Sequence, residues 1–449
     1  MPLLLLNRGS KMGFVRKHLS ADGLHQIVRH SFDREKLPSY PKSTISWQDC
    51  IMSGLAVFGL KFPSLLQFEN EKWDAVIKRN LTTLYRIKNV PSDTCMRERL
   101  DMLLPRQFRR AFKTIFAYLQ RGKQLERFKF LNSHYLLSID GTGHFSSDTI
   151  HCKNCCIKKH RDGTETYYHQ MLGAAIVHPD EKVVIPLAPE PIVKGDGDQK
   201  NDCERNACKR LLNDLRREHP HLKLIIVEDG LASNYPHLSL LDSLKMKYVI
   251  GVKQGDHDYL FDWIKHAKAN EFELTKNKIN HKFRFVNQVP LNDEHHEYLV
   301  NVLEYWEENA KGEKQYFSWV TNVEITQDNA FELMRAGRAR WRIENETFNT
   351  LKNLGYNFGH NYGHGNENLC TNFSMLMLLA FLIDQVQWLC CKQYQKVKIK
   401  KRTWHLVFEY IRSLFRLFCL NSWSQVYDLI IAPEAQPPPS WFGQPLSTI

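Results

Sequence analysis

The chain has 449 residues, 43% hydrophobic and 24% charged, a balance that excludes wholesale disorder and leaves room for two or three domains around at least one large core. A net charge of +12 points to a polyanionic partner, most often nucleic acid. The 11 cysteines, an odd number spread along so long a chain, do not make a secreted disulfide framework, so a reducing compartment is expected. The leucine run near the start, in MPLLLLNRGSKMG, is too short for a signal-peptide core or a membrane span. The apolar segment 373–386 is interrupted by Ser374, Asp384 and Gln385 and reads as a buried helix. A soluble protein with no membrane partner is expected.

Residues 1–130 read as a helical, basic region. Apolar positions recur through 47–60, Pro63 punctuates them, and Ser92 or Asp93 after Pro91 offers an N-cap. A long basic helix over 105–129 carries Arg106, Arg109, Arg110, Lys113, Arg121, Lys123, Arg127 and Lys129, either as a solvated face or as a surface for the DNA backbone.

From Leu131 the pattern changes to strands. YLLSIDGTG over 135–143 reads as a buried strand that delivers Asp140 where its glycines break it. Strands over 167–177 and 182–187 complete an antiparallel meander. A helix opened by Asp202 and closed by Pro220 follows, then the very apolar strand 222–227, which delivers Glu228, Asp229 and Gly230. A helix near 235–245 leads to a buried strand over 248–252. Three strands, helix, strand, helix, strand makes a mixed α/β core over 131–252, with Asp140 and Asp229 at the sheet centre.

Residues 253–322 alternate as FRFV, YLVNVLEYW and QYFSWVTN between polar linkers, a β-rich insertion. Trp306 and Trp319 in it could stack a flipped base, although core is the commoner fate of at least one. Helix returns at Asp328 or Asn329, either of which can cap a run through Arg342 to Leu351 inside a second core part over 323–385. A basic helical tail with KVKIKKR occupies 386–449 with the proline-rich end AQPPPSWFGQP.

Three acids carry the chemistry: Asp140 and Asp229 ending central strands, and Glu344 in the helix after the insertion. Two strand-end carboxylates on adjacent strands can jointly bind two divalent ions about 3.5–4 Å apart, with a helical glutamate closing the site. Such ions activate a water or 3′-hydroxyl for in-line attack on a phosphodiester. Acids this close repel one another unless a cation lies between them. Arg338, Arg340, Arg342 and Lys352 read either as a solvated face or as phosphate contacts beside that site. GYNFGHNYGHGNEN, with His360 and His364, reads as a structural turn or a loop that approaches DNA. HCKNCCIKKH places Cys152, Cys155, Cys156 and His160 at C-x-x-C spacing suited to tetrahedral zinc. No second C-x-x-C is evident, and Cys203, Cys208 and His169 are the candidates to complete the set.

SIDGTG, VEDGLASN and RWRIENETFNTLKN, in that order around a β-rich insertion, resemble the DDE transposases of bacterial insertion sequences, in the ribonuclease-H-like group with a Tyr-Arg-Glu-Lys signature. The resemblance covers residues 90–382. It implies an α/β fold: a ribonuclease-H-like mixed sheet core interrupted by a β-rich insertion, with helical N- and C-terminal regions. It also implies a bacterial, cytoplasmic enzyme that cuts double-stranded DNA at element ends and joins 3′ ends to target DNA, using two Mg²⁺ (or Mn²⁺) ions and acting as a homodimer on DNA. Asp140, Asp229 and Glu344 match the catalytic acids, Arg340 the signature arginine and Trp341 the tryptophan after it. The chain departs from the signature twice. Gly337 stands where the tyrosine belongs, and Lys352 lies eight residues after Glu344 instead of seven, about 100° further round an α-helix. Glu346 is the competing acid, one residue too near the lysine; Asn345 has the right spacing but no carboxylate.

Overall fold

The computed structural model describes residues 17–40, 44–197 and 200–433. The leucine-rich start and the AQPPPSWFGQP end lie outside them.

The sheet forms first from β1 (His134–Ser147), β2 (Glu165–His178) and β3 (Glu181–Pro186), an antiparallel meander in which β1 pairs with β2 and β2 with β3. The helix Lys200–Glu218 then crosses over to β4 (Leu224–Glu228), which lies parallel to β1. A second crossover, Tyr235–Ser243, leads to β5 (Lys247–Gly251), parallel to β4. The spatial order β3-β2-β1-β4-β5, three antiparallel strands extended by two parallel ones, is the ribonuclease-H-like arrangement. Leu136, Leu137, Ile139 and the whole of β4 are buried on both faces, as a central strand under helices must be.

The insertion prolongs this sheet. After a short helix, Asp258–His266, strands β6 (Asn270–Lys276), β7 (Ile279–Pro290), β8 (Leu299–Glu308) and β9 (Lys314–Thr321) form an antiparallel run, and β9 pairs antiparallel with β5. The stretches FRFV, YLVNVLEYW and QYFSWVTN lie along β7, β8 and β9; the helix Asp258–His266, strand β6 and the ladder shared with β5 go beyond what those stretches led one to expect.

Other boundaries also differ from the sequence expectation. β1 does not stop at Asp140; its ladder to β2 continues through Gly141↔Leu172 and Thr142↔Met171 to Ser147↔Tyr167, with a bulge between Gly143 and Phe145 that absorbs the glycine-rich stretch. The basic helix opens as the tight turn Pro105–Phe108, continues as Arg109–Arg121, and is broken from Gln124–Phe128 because Lys123 takes a left-handed conformation (φ 56°) after Gly122. Ser92, like Ser20, Ser46 and Ser64, accepts a backbone N–H at its helix start. The cap of Gln327–Ala339 is Thr326, with Asn329 as its reciprocal partner, instead of Asp328 or Asn329.

The N-terminal helices and the tail share one core with the sheet. Leu369–Cys390 has the length and apolarity to cross a membrane, and its side chains are mostly packed inside the protein, against Trp47–Gly59 and β3. Its Asp384 forms a 2.8 Å ion pair with buried Lys61, whose ammonium also lies over the rings of Tyr356 (3.8 Å) and Phe408 (4.3 Å).

Two glycines let the helix after the insertion approach the sheet closely. That helix runs Gln327–Ala339, turns at Arg340, passes through a π-helical turn, Ile343–Phe348, and ends as Asn349–Asn353. A Cβ at Gly173, which pairs with Asp140 across the sheet, would lie 2.8 Å from the Phe348 ring. A Cβ at Gly337 would lie 2.3 Å from Nε1 of Trp319. The indole of β9 thus fills the volume that a signature tyrosine would need, which accounts for the first departure from the Tyr-Arg-Glu-Lys pattern.

Two stability outcomes are expected. Asp384→Ala leaves the Lys61 ammonium buried without a counter-charge and should cost about 3–5 kcal/mol in urea unfolding; a cost below about 1 kcal/mol would mean that water already solvates the pair. Gly337→Tyr should destabilise by about 1–3 kcal/mol or more through overpacking. The double variant Gly337→Tyr/Trp319→Gly should recover part of that loss, and strict additivity of the two single changes would refute the competition for one volume.

Candidate active site

Asp140 sits in the middle of the central strand, half-buried, with its Oδ1 accepting the N–H of Gly141 at 2.8 Å. Two residues earlier, Ser138 Oγ donates to the carbonyl of Arg340 at 3.0 Å, which pins the turn of the acid-bearing helix against β1. Arg340 then reaches back into the gap. Its Nη1 lies 2.6 Å from Glu344 Oε1 and 3.4 Å from Asp140 Oδ2. Burial, together with the Glu344 carboxyl within hydrogen-bonding reach, raises the Asp140 pKa to about 7, while Arg340 opposes the rise.

Asp229 follows β4. The parallel pairing runs from Tyr135↔Leu224 to Ser138↔Val227, and two further steps of the same register set Asp140 beside Asp229. Alternation along the strand turns Glu228 inward and Asp229 outward. Asp229 is exposed and caps the turn Gly230–Ala232 by accepting the Leu231 N–H at 3.0 Å. Glu228 lies behind it, with His237 Nε2 at 2.7 Å and the Cys208 thiol donating at 3.6 Å; burial and Glu228 push that thiol well above its ordinary pKa. One cleft is lined by Asp140, Asp229 and Asn234, and also by Glu204.

Glu204 was not singled out from the sequence. Its Oε1 lies 3.0 Å from where a Cβ of Gly141 would be, so the missing side chain is what admits this carboxylate to the strand beside the cleft. Its place in the helix after the meander gave no signal, since acids on amphipathic helices are ordinary.

The π-helical turn bears on the second departure. An i→i+5 turn takes up one residue more than an α-helical turn. Eight residues from Glu344 to Lys352 therefore sweep about the angle of seven α-helical ones, and the expected 100° offset does not hold. Lys352 is exposed at the end of that helix. Glu346 points elsewhere and pairs with Arg342 at 3.0 Å, and Asn345 is exposed.

The other expected contacts divide. Trp341 is 52% exposed beside the site, with the Arg340 guanidinium 5.1 Å from its ring. Arg342 also donates to the carbonyl of Pro179 at 2.7 Å, and Arg338 pairs with Glu307 and lies 4.9 Å over Phe317; the structure does not bring these two to the acids. Trp319 is core, stacked on Phe317, whereas half-exposed Trp306 packs against Tyr316 at the edge of the insertion. In the basic region Arg109 is buried among Glu190, Asp214 and Glu218, and Arg127 pairs with Glu181, so neither is a free phosphate contact. Arg106, Lys113 and Arg121, with Arg110 paired to Glu35 at 3.3 Å, line an open groove that Glu35, Asp214 and Glu218 also border.

Of the expected partners the cysteine motif keeps His169, loses Cys156, His160, Cys203 and Cys208, and gains His364. Cys152 and Cys155 gather with His169 and His364. Cys156 faces the carbonyl of Ile192, His160 lies 2.8 Å from Thr166, Cys203 donates to Gly197 and Cys208 belongs to Glu228. His360 is exposed on its turn.

A family model described as "Transposase DDE domain" matches residues 148–382, which contain Asp229 and Glu344 and begin just after Asp140. No curated protein matches. Among solved structures, the chain is similar to a piggyBac transposase in a synaptic complex with hairpin DNA, at 8% identity and a TM-score of 0.38, covering 94% of this chain and 81% of that one. That likeness is too distant to inform on the substrate. The family match spans more than half of the chain, which therefore belongs to the transposase DDE domain family.

Proposed function

We propose that the protein is the DNA transposase of a bacterial insertion sequence, binding the element's ends and catalysing strand cleavage and strand transfer in the bacterial cytoplasm. The observation that carries this reading is the approach of Glu344, from the helix beyond the insertion, to Asp140 on the central strand, which itself lines a cleft with Asp229. Asp140, Asp229 and Glu344 would hold the divalent ions. Their donor set fits in kind: hard carboxylate oxygens of Asp140 and Glu344 meet at Arg340, Asp229 lines a cleft with Asp140, and the burial that raises the Asp140 pKa is a cost that a bound cation would offset. Two Mg²⁺ or Mn²⁺ ions would activate the attacking oxygen and stabilise the leaving one.

The chain's own groups do the rest. Ser138 and Gly173 hold the helix turn at the sheet so that Glu344 reaches Asp140. Arg340 keeps the acid pair compact before DNA arrives and offers its guanidinium to a phosphate oxygen afterwards. Exposed Trp341 offers a ring on which a base can stack. Lys352 would contact the DNA backbone beyond the glutamate. The groove lined by Arg106, Arg110, Lys113 and Arg121 would follow the duplex, giving residues 1–130 the role of binding element ends and 131–385 that of the catalytic core and its insertion, with the tail from 386 basic and supporting. Two ends must be cut together, so a homodimer on DNA is expected.

A labelled DNA end taken from the gene's own flanks, incubated with Mg²⁺, Mn²⁺ or EDTA, tests the proposal. Metal-dependent nicking and joining should fall roughly 10³-fold or more in Asp140→Asn, Asp229→Asn and Glu344→Gln, and stay within several-fold in Glu346→Gln. Nicking without joined products would make it a nuclease of this fold, and binding without cleavage in any metal a silent DNA-binding relative. Separately, Arg106→Ala and Lys113→Ala should each lower the slope of log affinity against log salt by about one. An unchanged slope would take the groove out of the DNA path.

A further inference from the structure

We infer that Cys152, Cys155, His169 and His364 form a structural zinc site that ties the two halves of the core together across the insertion; the inference is independent of the catalytic proposal. The four ligand atoms all lie within 4.8 Å of one another. The two sulfurs are 3.9 Å apart, His169 Nε2 is 3.4 Å from Cys152 Sγ and 3.3 Å from Cys155 Sγ, and His364 Nε2 is 3.4 Å from Cys155 Sγ. A tetrahedron with Zn–S of about 2.3 Å and Zn–N of about 2.0–2.1 Å has edges of about 3.8 Å between sulfurs and about 3.5 Å between sulfur and nitrogen. The separations match those edges, and they are far from the length of about 2.05 Å that a disulfide requires.

The surroundings suit a closed, structural ion. Cys155, His169 and His364 are buried and Cys152 is partly open, which leaves a route for entry. Two thiolates formed by release of their protons to solvent, with two neutral imidazoles, balance the charge of Zn²⁺, so the buried centre is neutral. His364 Nδ1 lies 3.0 Å from the carbonyl of Gly365, a bond that fixes the proton there and turns the lone pair of Nε2 toward the sulfurs. The loop is shaped in advance: the Asp101 carboxylate accepts the N–H groups of Asn366, Glu367, Asn368 and Leu369 at 2.8–3.0 Å. Asn154 donates to the carbonyl of Glu367 at 2.8 Å, holding the cysteine turn against that loop.

The ligands come from the connection after β1, from β2, and from the turn beyond the Glu344 helix. The ion would therefore close a loop containing β3–β9 and that helix, and metal clips that close long loops give the largest restraint on the unfolded chain.

Full-length protein purified without added metal should carry about one zinc per chain by elemental analysis, released when a mercurial blocks its thiols. Cys152→Ser and His364→Ala should lose it, with a fall of several degrees in the unfolding midpoint. Asp140→Ala and Asp229→Ala should keep it, separating this centre from the acid cleft. Wild-type chain exchanged with Co²⁺ should show the visible bands of tetrahedral thiolate-bound cobalt, a readout that needs no variant to fold. Zinc absent from the wild type, zinc retained in Cys152→Ser and His364→Ala, or a Cys152–Cys155 disulfide in the purified protein would each overturn the inference.

Discussion

The site depends on how closely one helix can lie on one strand. Ser138 holds the carbonyl of Arg340 to β1, and Gly173, opposite Asp140, leaves room for Phe348 to seat beside Ile343. With both in place, Arg340 spans the gap and its guanidinium lies between two carboxylates that would otherwise repel. A side chain at position 173 would lift the helix and separate Glu344 from Asp140, whatever the acids themselves could do.

The departures from the transposase signature have one structural origin. The helix carrying Glu344 is fitted between the core strands and the insertion, and both faces make demands. On the insertion side Trp319 fills the space at position 337, so a glycine stands there. On the core side the helix relaxes into a π-helical turn at Ile343–Phe348, which absorbs one residue and changes the count from Glu344 to Lys352. Such turns cost hydrogen-bond quality and recur at functional sites, in keeping with a helix shaped for where its carboxylate must go.

The insertion reaches the catalytic core through backbone hydrogen bonds, since β9 extends the central sheet from β5. Trp319 on β9 touches the acid-bearing helix directly. Movement of the insertion on binding DNA would therefore be felt at Gly337, two turns of helix before Glu344. On the far side of that helix, the Cys/His cluster and the Asp101-bound loop hold the chain that follows. The helix is thus restrained at both ends by parts of the protein that are distant in sequence.

The sequence alone determined the fold class, the order of strands and crossovers in the core, and the acids worth naming. Those rest on local signals: continuous apolar runs bury as central strands, and motif order survives without coordinates. It could not show where β1 ends, because Asp-Gly-Thr-Gly has the composition of a turn and only the ladder to β2 keeps it extended. It also left open to DNA arginines that tertiary pairing consumes, such as Arg109 among its acids and Arg338 with Glu307. Glu204, the π-helical turn and His364 as the fourth member of the cysteine cluster were decided by packing. Each depends on atoms brought together from far apart in the chain, and no spacing along a sequence encodes that distance.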